Sequence, residues 1–412
     1  MSYDCIIVGN GAIGLGVAYE FIKKSKKNFK LAIFGKKNRI GSASRAAGLM
    51  LPPFSELEND QLKDKIYKKK FLKLDLKAEK IWNKYIDELK VHSKINLKKV
   101  KDTIIINNNA ASSLDEKNFY AILNYLKFYK KKFKIINPLK IPGYKPISRL
   151  RSQSAIKLEE GSIDARKVLK ALDKIIEGSD KCDVYDKNII SFSKKGKVIK
   201  LISNDKKVFF TKKLIIAAGT YSKNILEKSK FKKNVQKVFF GTGVALIVKT
   251  KKKHNISSVI RTVNRGLACG IHIVPLDDFR FYVGATNRLS HTENNNATCA
   301  TTNVLINSLT KEINTDFENA IIEDILVGHR PTTEDSFPLL GELVKKKIYI
   351  ATGFKRTGFF LSPVIAKELS REILENKKNR LKEFNPLRKI VKFDKDELIE
   401  KTTDHYVSAA YQ

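Results

Sequence analysis

Cysteine is scarce in this 412-residue chain. The four thiols, Cys5, Cys182, Cys269 and Cys299, are scattered, with no CxxC and no paired spacing. That argues against a disulfide framework and against a zinc site, and it suits a reducing compartment. No apolar run approaches the roughly 18 residues of a membrane span. The N-terminus enters an apolar strand without a basic-then-apolar leader, so a soluble cytoplasmic protein is expected. No internal repeat, nucleophilic triad or metal-ligand cluster stands out, and no metal is expected. Acidic residues are also short, with 43 Asp+Glu against 80 Lys+Arg and a net charge of +37. Two explanations compete: an anionic partner such as nucleic acid, or coding bias expressed as lysine. Lysine triplets at 68–70, 130–132, 251–253 and 345–347 are spread along the chain, with no basic tail or arm. Solvated lysine-rich faces are the simpler reading.

The most informative segment is the first one. The apolar run Cys5-Ile6-Ile7-Val8 leads into Gly9-Asn10-Gly11-Ala12-Ile13-Gly14, a GxGxxG. Leu15, Val17, Ala18, Phe21 and Ile22 then recur at helical spacing. A strand, a glycine turn and a helix in that order predict dinucleotide binding. The first glycine makes the tight turn, the second lets a pyrophosphate near the backbone, and the third lets helix and strand pack closely. The phosphates then sit on the helix N-terminus, where free N–H groups and the helix dipole favour anions. The alternative is a glycine-rich turn in an ordinary α/β protein. A second strand should end in Asp or Glu, roughly 20 residues on, to bind a ribose hydroxyl. Here the strand reads Leu31-Ala32-Ile33-Phe34-Gly35-Lys36, and Gly35 stands where the carboxylate is expected. Lys36-Lys37 suggests a 2′-phosphate; a substituted contact that weakens ribose binding is preferred.

The rest of the chain alternates between two patterns. Strands at 4–9 and 30–34 flank a helix at 12–24. A long helix is expected over 57–90, with Leu74, Ala78, Ile81, Trp82, Tyr85 and Leu89 on one stripe. A strand at 103–106, a turn at 107–109 and a helix near 115–130 follow. Asp164 caps a helix over 166–176. Short strands fill 182–217, and alternation at 243–249, 271–275 and 279–285 predicts an antiparallel sheet. Then come 326–331, a strand at 348–351 and a helix over 363–374, in which Ser362-Pro363 reads as N-cap and first helical residue. The fold class expected is α/β, with a discontinuous Rossmann-like nucleotide domain (1–55, 145–225 and 325–390). An antiparallel-sheet substrate domain (56–144 and 226–324) is inserted in it, and 391–412 is a peripheral tail.

Seven segments together carry a family resemblance. They are the GxGxxG at 9–14, SASRAAGLM at 42–50, EGSIDAR at 160–166, AAGTYS at 217–222, IVPLDDFRFYVGAT at 273–286, GHRPTTEDSFPLLG at 328–341 and ATGFKRTGFFLSP at 351–363. In order and spacing the chain resembles the D-amino-acid oxidase superfamily of FAD-dependent oxidoreductases, and within it the glycine oxidases. The resemblance implies that Gly9, Gly11, Ala12, Ile13 and Gly14 hold the FAD pyrophosphate. Ser42, Ala43, Ala47, Gly48 and Leu49 would lie along the pyrophosphate, ribityl chain and flavin ring. Phe34, Gly35, Ile189 and Gly219 would border the cofactor, with Ile189 at the adenine. Gly353, Phe354, Lys355, Thr357, Gly358, Phe359 and Phe360 would run beside the flavin, and the N-terminus of the last helix would stabilise its negative charge. Gly328 stands where some relatives carry a flavin-linked cysteine, which implies non-covalent FAD.

The same resemblance gives Arg330 the substrate carboxylate, a task suited to a planar guanidinium. Arg356 matches a second arginine beside the flavin, and His272 takes the place of a substrate-side tyrosine. The implied reaction is oxidation of a small amino acid or secondary amine by hydride transfer to flavin N5. The resulting imine hydrolyses to an oxo acid, and O2 or another acceptor reoxidises the flavin. No acid or base is assigned. Two alternatives remain at this level: flavin-dependent modification of a tRNA wobble base, motivated by the charge, and an inactive FAD-binding scaffold, motivated by Gly35 and His272. Related enzymes are often homo-oligomers, but no interface is legible in the sequence.

Overall fold

A computed structural model describes residues 1–59, 71–108, 110, 113–231, 234–265, 270–377 and 381–388. The apolar run near the N-terminus lies within strand Ser2–Val8, whose residues from Cys5 onward are buried. Strands covered on both faces read as continuous apolar runs because neither side meets water. This strand pairs in parallel with Leu31–Phe34 and Val208–Ile216. Cys182–Tyr185 extends the parallel sheet beyond Leu31–Phe34, and Ile348–Thr352 joins Val208–Ile216. Antiparallel strands Ile189–Lys195, Val198–Ser203 and Leu339–Val344 complete eight. Helices Ala12–Lys24, Leu72–Ser93, Ala165–Glu177 and Gly358–Leu374 share one core with the sheet, built on Leu15, Val17, Trp82, Val168, Leu172 and Ile365.

A second, ten-stranded sheet is mainly antiparallel. Its longest ladder joins Val238–Lys249 to Ile321–Thr333, from Val238↔Thr333 to Lys249↔Ile321. Arg280–Gly284, His272–Pro275, Val259–Thr262 and Thr103–Asn107 extend it. The two-residue strand Gly41–Ser42 docks on the edge of Ile321–Thr333, in the register Gly41↔Gly328 and Ser42↔His329. This pairing brings the small-residue segment 42–50 beside Gly328, His329 and Arg330.

Several expectations shift. Strand Ser154–Leu158 pairs with Thr103–Asn107 and Phe133–Ile136 in the second sheet, although the sequence division put 145–225 with the nucleotide domain. The single strand Ile321–Thr333 runs across the expected boundary at 324/325. Neither sheet membership is encoded locally, because the same alternation serves either sheet. The long helix is described as Leu72–Ser93, with Leu74, Ala78, Trp82, Tyr85 and Leu89 buried; residues 60–70 lie outside the described part, as do Asn109 and the tail 391–412.

The last helix begins at Gly358 with Thr357 as its cap, so Ser362 and Pro363 are interior rather than N-terminal. Pro363 has no N–H to give Phe359, and the Ser362 hydroxyl donates to that carbonyl at 2.8 Å. Trp82 Nε1 donates to the next carbonyl, Phe360, at 2.7 Å. The Ser362 bond satisfies the carbonyl that the interior proline leaves without its N–H donor. No described helix is long and apolar enough to cross a membrane.

Candidate functional site

The carboxyl ends of the parallel strands open on a cavity of about 890 Å³, walled by Val8, Phe34, Asp186, Ala217 and Thr352 on that side. Crevices at this end of an open α/β sheet are where ligands bind. The glycine turn forms one wall. Gly9 has φ +115°, and a Cβ there would lie 2.2 Å from the Ala217 carbonyl oxygen, so only glycine fits. Helix Ala12–Lys24 points its first turn at the cavity, and Ser44 accepts from Ala12 N at 3.0 Å, tying the turn to segment 42–50.

Gly11, Ala12, Ile13, Phe34, Gly35, Ser42, Ala43, Ala47, Gly48, Leu49, Ile189 and Gly219 all line the cavity. So do Phe354, Lys355, Thr357, Gly358, Phe359 and Phe360. Gly14 and Gly353 do not. A Cβ on Gly14 would sit 1.8 Å from the Gly9 carbonyl oxygen, so its contribution is close packing of helix on turn rather than contact with a ligand. Gly353, at φ +82°, makes the turn after Ile348–Thr352, packed against Thr333.

Arg330, Arg356 and His272 line the same cavity from the second sheet and the loop before the last helix. Arg330 Nη1 donates to the Thr286 carbonyl at 2.9 Å and to Asn287 Oδ1 at 3.1 Å. Across the ladder, Gly243 supplies the space: a Cβ there would lie 2.1 Å from Arg330 Nη1. Among the described residues Arg330 pairs with no carboxylate. Arg356 is ion-paired with Glu58. Arg261, 1% exposed, holds Glu56 Oε1 at 3.3 Å and Asn264 Oδ1 at 2.7 Å.

His272 stacks on Tyr282 with ring centroids 5.6 Å apart. Burial, followed by the positive charge of Arg261, pushes its pKa down to about 3, so the ring is neutral. Its Nδ1 lies 3.3 Å from the Gly270 carbonyl, which can only accept. The proton therefore sits on Nδ1, and Nε2 is an acceptor. Behind the cavity, buried Glu160 accepts from Phe54 N at 2.7 Å and Ser55 N at 2.8 Å, fixing the loop that carries Pro52 and Glu56 to the wall. Burial pushes the Glu160 pKa up to about 7.

Sequence reasoning missed Asn10, Glu56, Gly243, Arg261 and Tyr282. Arg261 and Glu56 are 205 positions apart, and nothing local marks them as partners. Gly243 sits in an alternating strand whose pattern reports only its sheet.

The sequence model of the family described as DAO, FAD dependent oxidoreductase, matches residues 4–372. No curated protein sequence matches the chain. Among solved structures, glycine oxidase from Geobacillus kaustophilus superposes with a TM-score of 0.80 at 21% identity, covering 95% of this chain and 100% of that one. Iminodiacetate oxidase from Chelativorans sp. BNC1 gives 0.76 at 16%, covering 93% and 98%. L-α-glycerophosphate oxidase from Mycoplasma pneumoniae, solved with FAD bound, gives 0.73 at 19%, covering 92% and 96%. At these identities the likeness is one of fold. The family model, by contrast, follows the chain from its first strand to its last described helix, and on that evidence the chain belongs to the DAO family of FAD-dependent oxidoreductases.

Proposed function

We propose that this FAD-dependent oxidoreductase oxidises a small amine or amino acid that carries a carboxylate. Arg330 is the observation that supports this most. Arg261 and Arg356 already face glutamates, whereas Arg330 reaches only neutral oxygens among the described residues. A half-buried guanidinium without a counter-ion is costly, and a substrate carboxylate relieves that cost through paired, charge-assisted bonds. Met50, Val244, Ala245 and Ala285 give the nearby walls an apolar character suited to a small substrate. Neutral His272 offers Nε2 to an amine N–H, so carboxylate and nitrogen are held at two points and the carbon between them is oriented.

The cavity residues fit FAD. The Gly9–Ile13 turn and the first turn of Ala12–Lys24 would hold the pyrophosphate. The small residues of 42–50 would let a flat ring lie against the backbone, and the free amides at Gly358–Phe360 would face it. A Cβ on Gly328 would lie 2.7 Å from the Ala46 methyl, which leaves no room for a cysteine link and supports non-covalent FAD. When bound, the flavin supplies the hydride acceptor, and the oxidised substrate is an imine that water hydrolyses to an oxo acid. O2 or another acceptor would complete turnover. On this reading the parallel sheet serves the cofactor and the ten-stranded sheet serves the substrate.

Arg330→Ala tests the role. Truncating one partner of such a pair costs on the order of 2–5 kcal/mol. KM for a carboxylate substrate should rise at least tenfold, with bound FAD per chain unchanged. An unchanged KM contradicts the assignment.

A further inference from the structure

The ribose-binding carboxylate that dinucleotide folds carry at the end of the second strand is Gly35 here, and the space beside Gly35 is taken. A Cβ built on Gly35 would lie 2.4 Å from both Cγ and Oδ1 of Asn10. Gly35 does not have the positive φ that demands glycine; Asn10 keeps residue 35 small, through its amide and through its backbone N, which would lie 2.9 Å from the Cβ. Asn10 is the first variable residue of the GxGxxG and lines the cavity beside Gly35, Lys36 and Asn38.

The amide is held at its nitrogen. Asn10 Nδ2 lies 3.0 Å from the Lys36 carbonyl. That oxygen can only accept, so the NH2 group faces it and Oδ1 is left over. Oδ1 accepts from no described residue. The Asn10 backbone is held as well: Arg39 Nε donates to its carbonyl at 2.9 Å, while Arg39 is paired through both Nη atoms with Asp173 at 2.8 and 2.5 Å. A carbonyl oxygen thus stands, accepting from no described residue, beside the place of a side chain at residue 35.

We propose that Asn10 Oδ1 accepts the hydrogen bond of the adenosine ribose hydroxyl of FAD, in place of the acidic residue absent at Gly35. The proposal rests on the FAD reading above. Asn10 is the acceptor and Gly35 the vacancy that admits it, so the two positions act as one unit. The competing group is Asp186, which also lines this end of the cavity. Its Oδ1 already accepts from Lys37 N at 2.9 Å, and its side chain stands in solvent.

The test is equilibrium binding of FAD and of FMN, which lacks the adenosine, to the apoprotein, read by flavin fluorescence. A neutral hydrogen bond corresponds to a change of about three- to tenfold in Kd. Asn10→Ala should weaken FAD by that factor and leave FMN unchanged. Gly35→Ala, which pushes the same amide aside and brings a methyl within 2.9 Å of Asn10 N, should do the same with FMN binding as the control for the turn, and serves alone if Asn10→Ala does not fold. The double variant Asn10→Ala/Gly35→Glu removes the clash with the amide, leaves the 2.9 Å approach to the backbone N of residue 10 and restores the usual carboxylate, and should bind FAD more tightly than Asn10→Ala alone. Asp186→Ala should leave both affinities unchanged. The proposal is overturned if the Asn10 and Gly35 variants bind FAD like wild type. It is also overturned if they lose FAD and FMN equally, since Asn10 then merely shapes the turn. Loss on Asp186→Ala alone assigns the ribose to Asp186 instead. A folded wild-type protein that binds neither flavin overturns the cofactor reading itself, and this proposal with it.

Discussion

At Gly243 the nearest atom to a would-be methyl is Nη1 of Arg330, at 2.1 Å, the far end of a long side chain. Gly243→Ala should therefore move the guanidinium rather than break the sheet. The account expects a raised KM for the carboxylate substrate, unchanged FAD content and a midpoint of thermal unfolding close to wild type. Full activity at wild-type KM would show that the position of Arg330 is not critical. Glu160 makes a different residue-level prediction. Burial raises its pKa from 4.5 to about 7 in the folded chain, against the pull of two backbone donors. The folded state then holds the proton more tightly than the unfolded one. Its stabilisation is complete below about 4.5 and is lost as pH rises through about 7. Denaturant midpoints should fall more steeply with pH for wild type than for Glu160→Gln across that window; parallel curves would contradict the assignment. His272 has the opposite shift, from 6.5 down to about 3, and stabilises its neutral form above 6.5, an effect lost as pH falls through about 3. What the sequence conveyed at this scale was residue type at motif positions, such as Arg330 after Gly328-His329. The relations that give those residues meaning, Gly243 to Arg330 or Asn10 to Gly35, join distant segments and carry no local mark.

Among the elements, those with strong periodicity or a capping residue could be read directly. Asp164 caps Ala165–Glu177 by accepting from Arg166 N, and helix Ala12–Lys24 spans the residues expected of it. The last helix could not be read this way. Ser-Pro is a normal start signal, and here a bond from the Ser362 hydroxyl back to Phe359 within the same helix lets it sit in the interior. Ser362 is 1% exposed and its hydroxyl is the replacement donor for the Phe359 carbonyl. Ser362→Ala leaves that carbonyl unsatisfied in a dry core, at a cost of about 1–3 kcal/mol. Urea unfolding should register the loss at unchanged m-value, and no loss would mean the carbonyl has another partner. The earlier start at Gly358 also matters for the site. It puts the first-turn amides on the cavity wall, whereas a start at Pro363 would have set them a turn and a half away. Strand Gly41–Ser42 is too short to carry a sequence signal, yet it sets the register between segment 42–50 and Arg330.

Over the described residues, both sheets contribute to one cavity, which the glycine turn and Arg330 both line. The discontinuous layout was readable because glycine-rich parallel segments open, punctuate and close the chain. The exact strand memberships were not, because sheet pairing is decided by packing after collapse. The net charge of +37 belongs to this scale too. Among the described residues most of the ion pairs are at least partly exposed, and such pairs contribute roughly 0–1 kcal/mol each. Excess lysine therefore acts mainly through self-repulsion, which salt screens over a Debye length of about 8 Å at physiological ionic strength. The thermal midpoint should rise between low salt and a few tenths molar sodium chloride. A falling midpoint would mean that attractive pairs dominate the surface.

On the proposed reading, Arg330 selects a carboxylate on the amine that is oxidised. Anaerobic reduction of the bound flavin, followed by loss of its visible absorbance, tests this directly. The panel is glycine, sarcosine, D-amino acids and longer N-substituted glycines, each beside the amine that lacks its carboxylate, such as methylamine for glycine. At least one carboxylate-bearing amine should bleach the flavin, and its decarboxylated partner should not at the same concentration. No bleaching by any carboxylate-bearing amine, or equal bleaching by the decarboxylated partner, would contradict it.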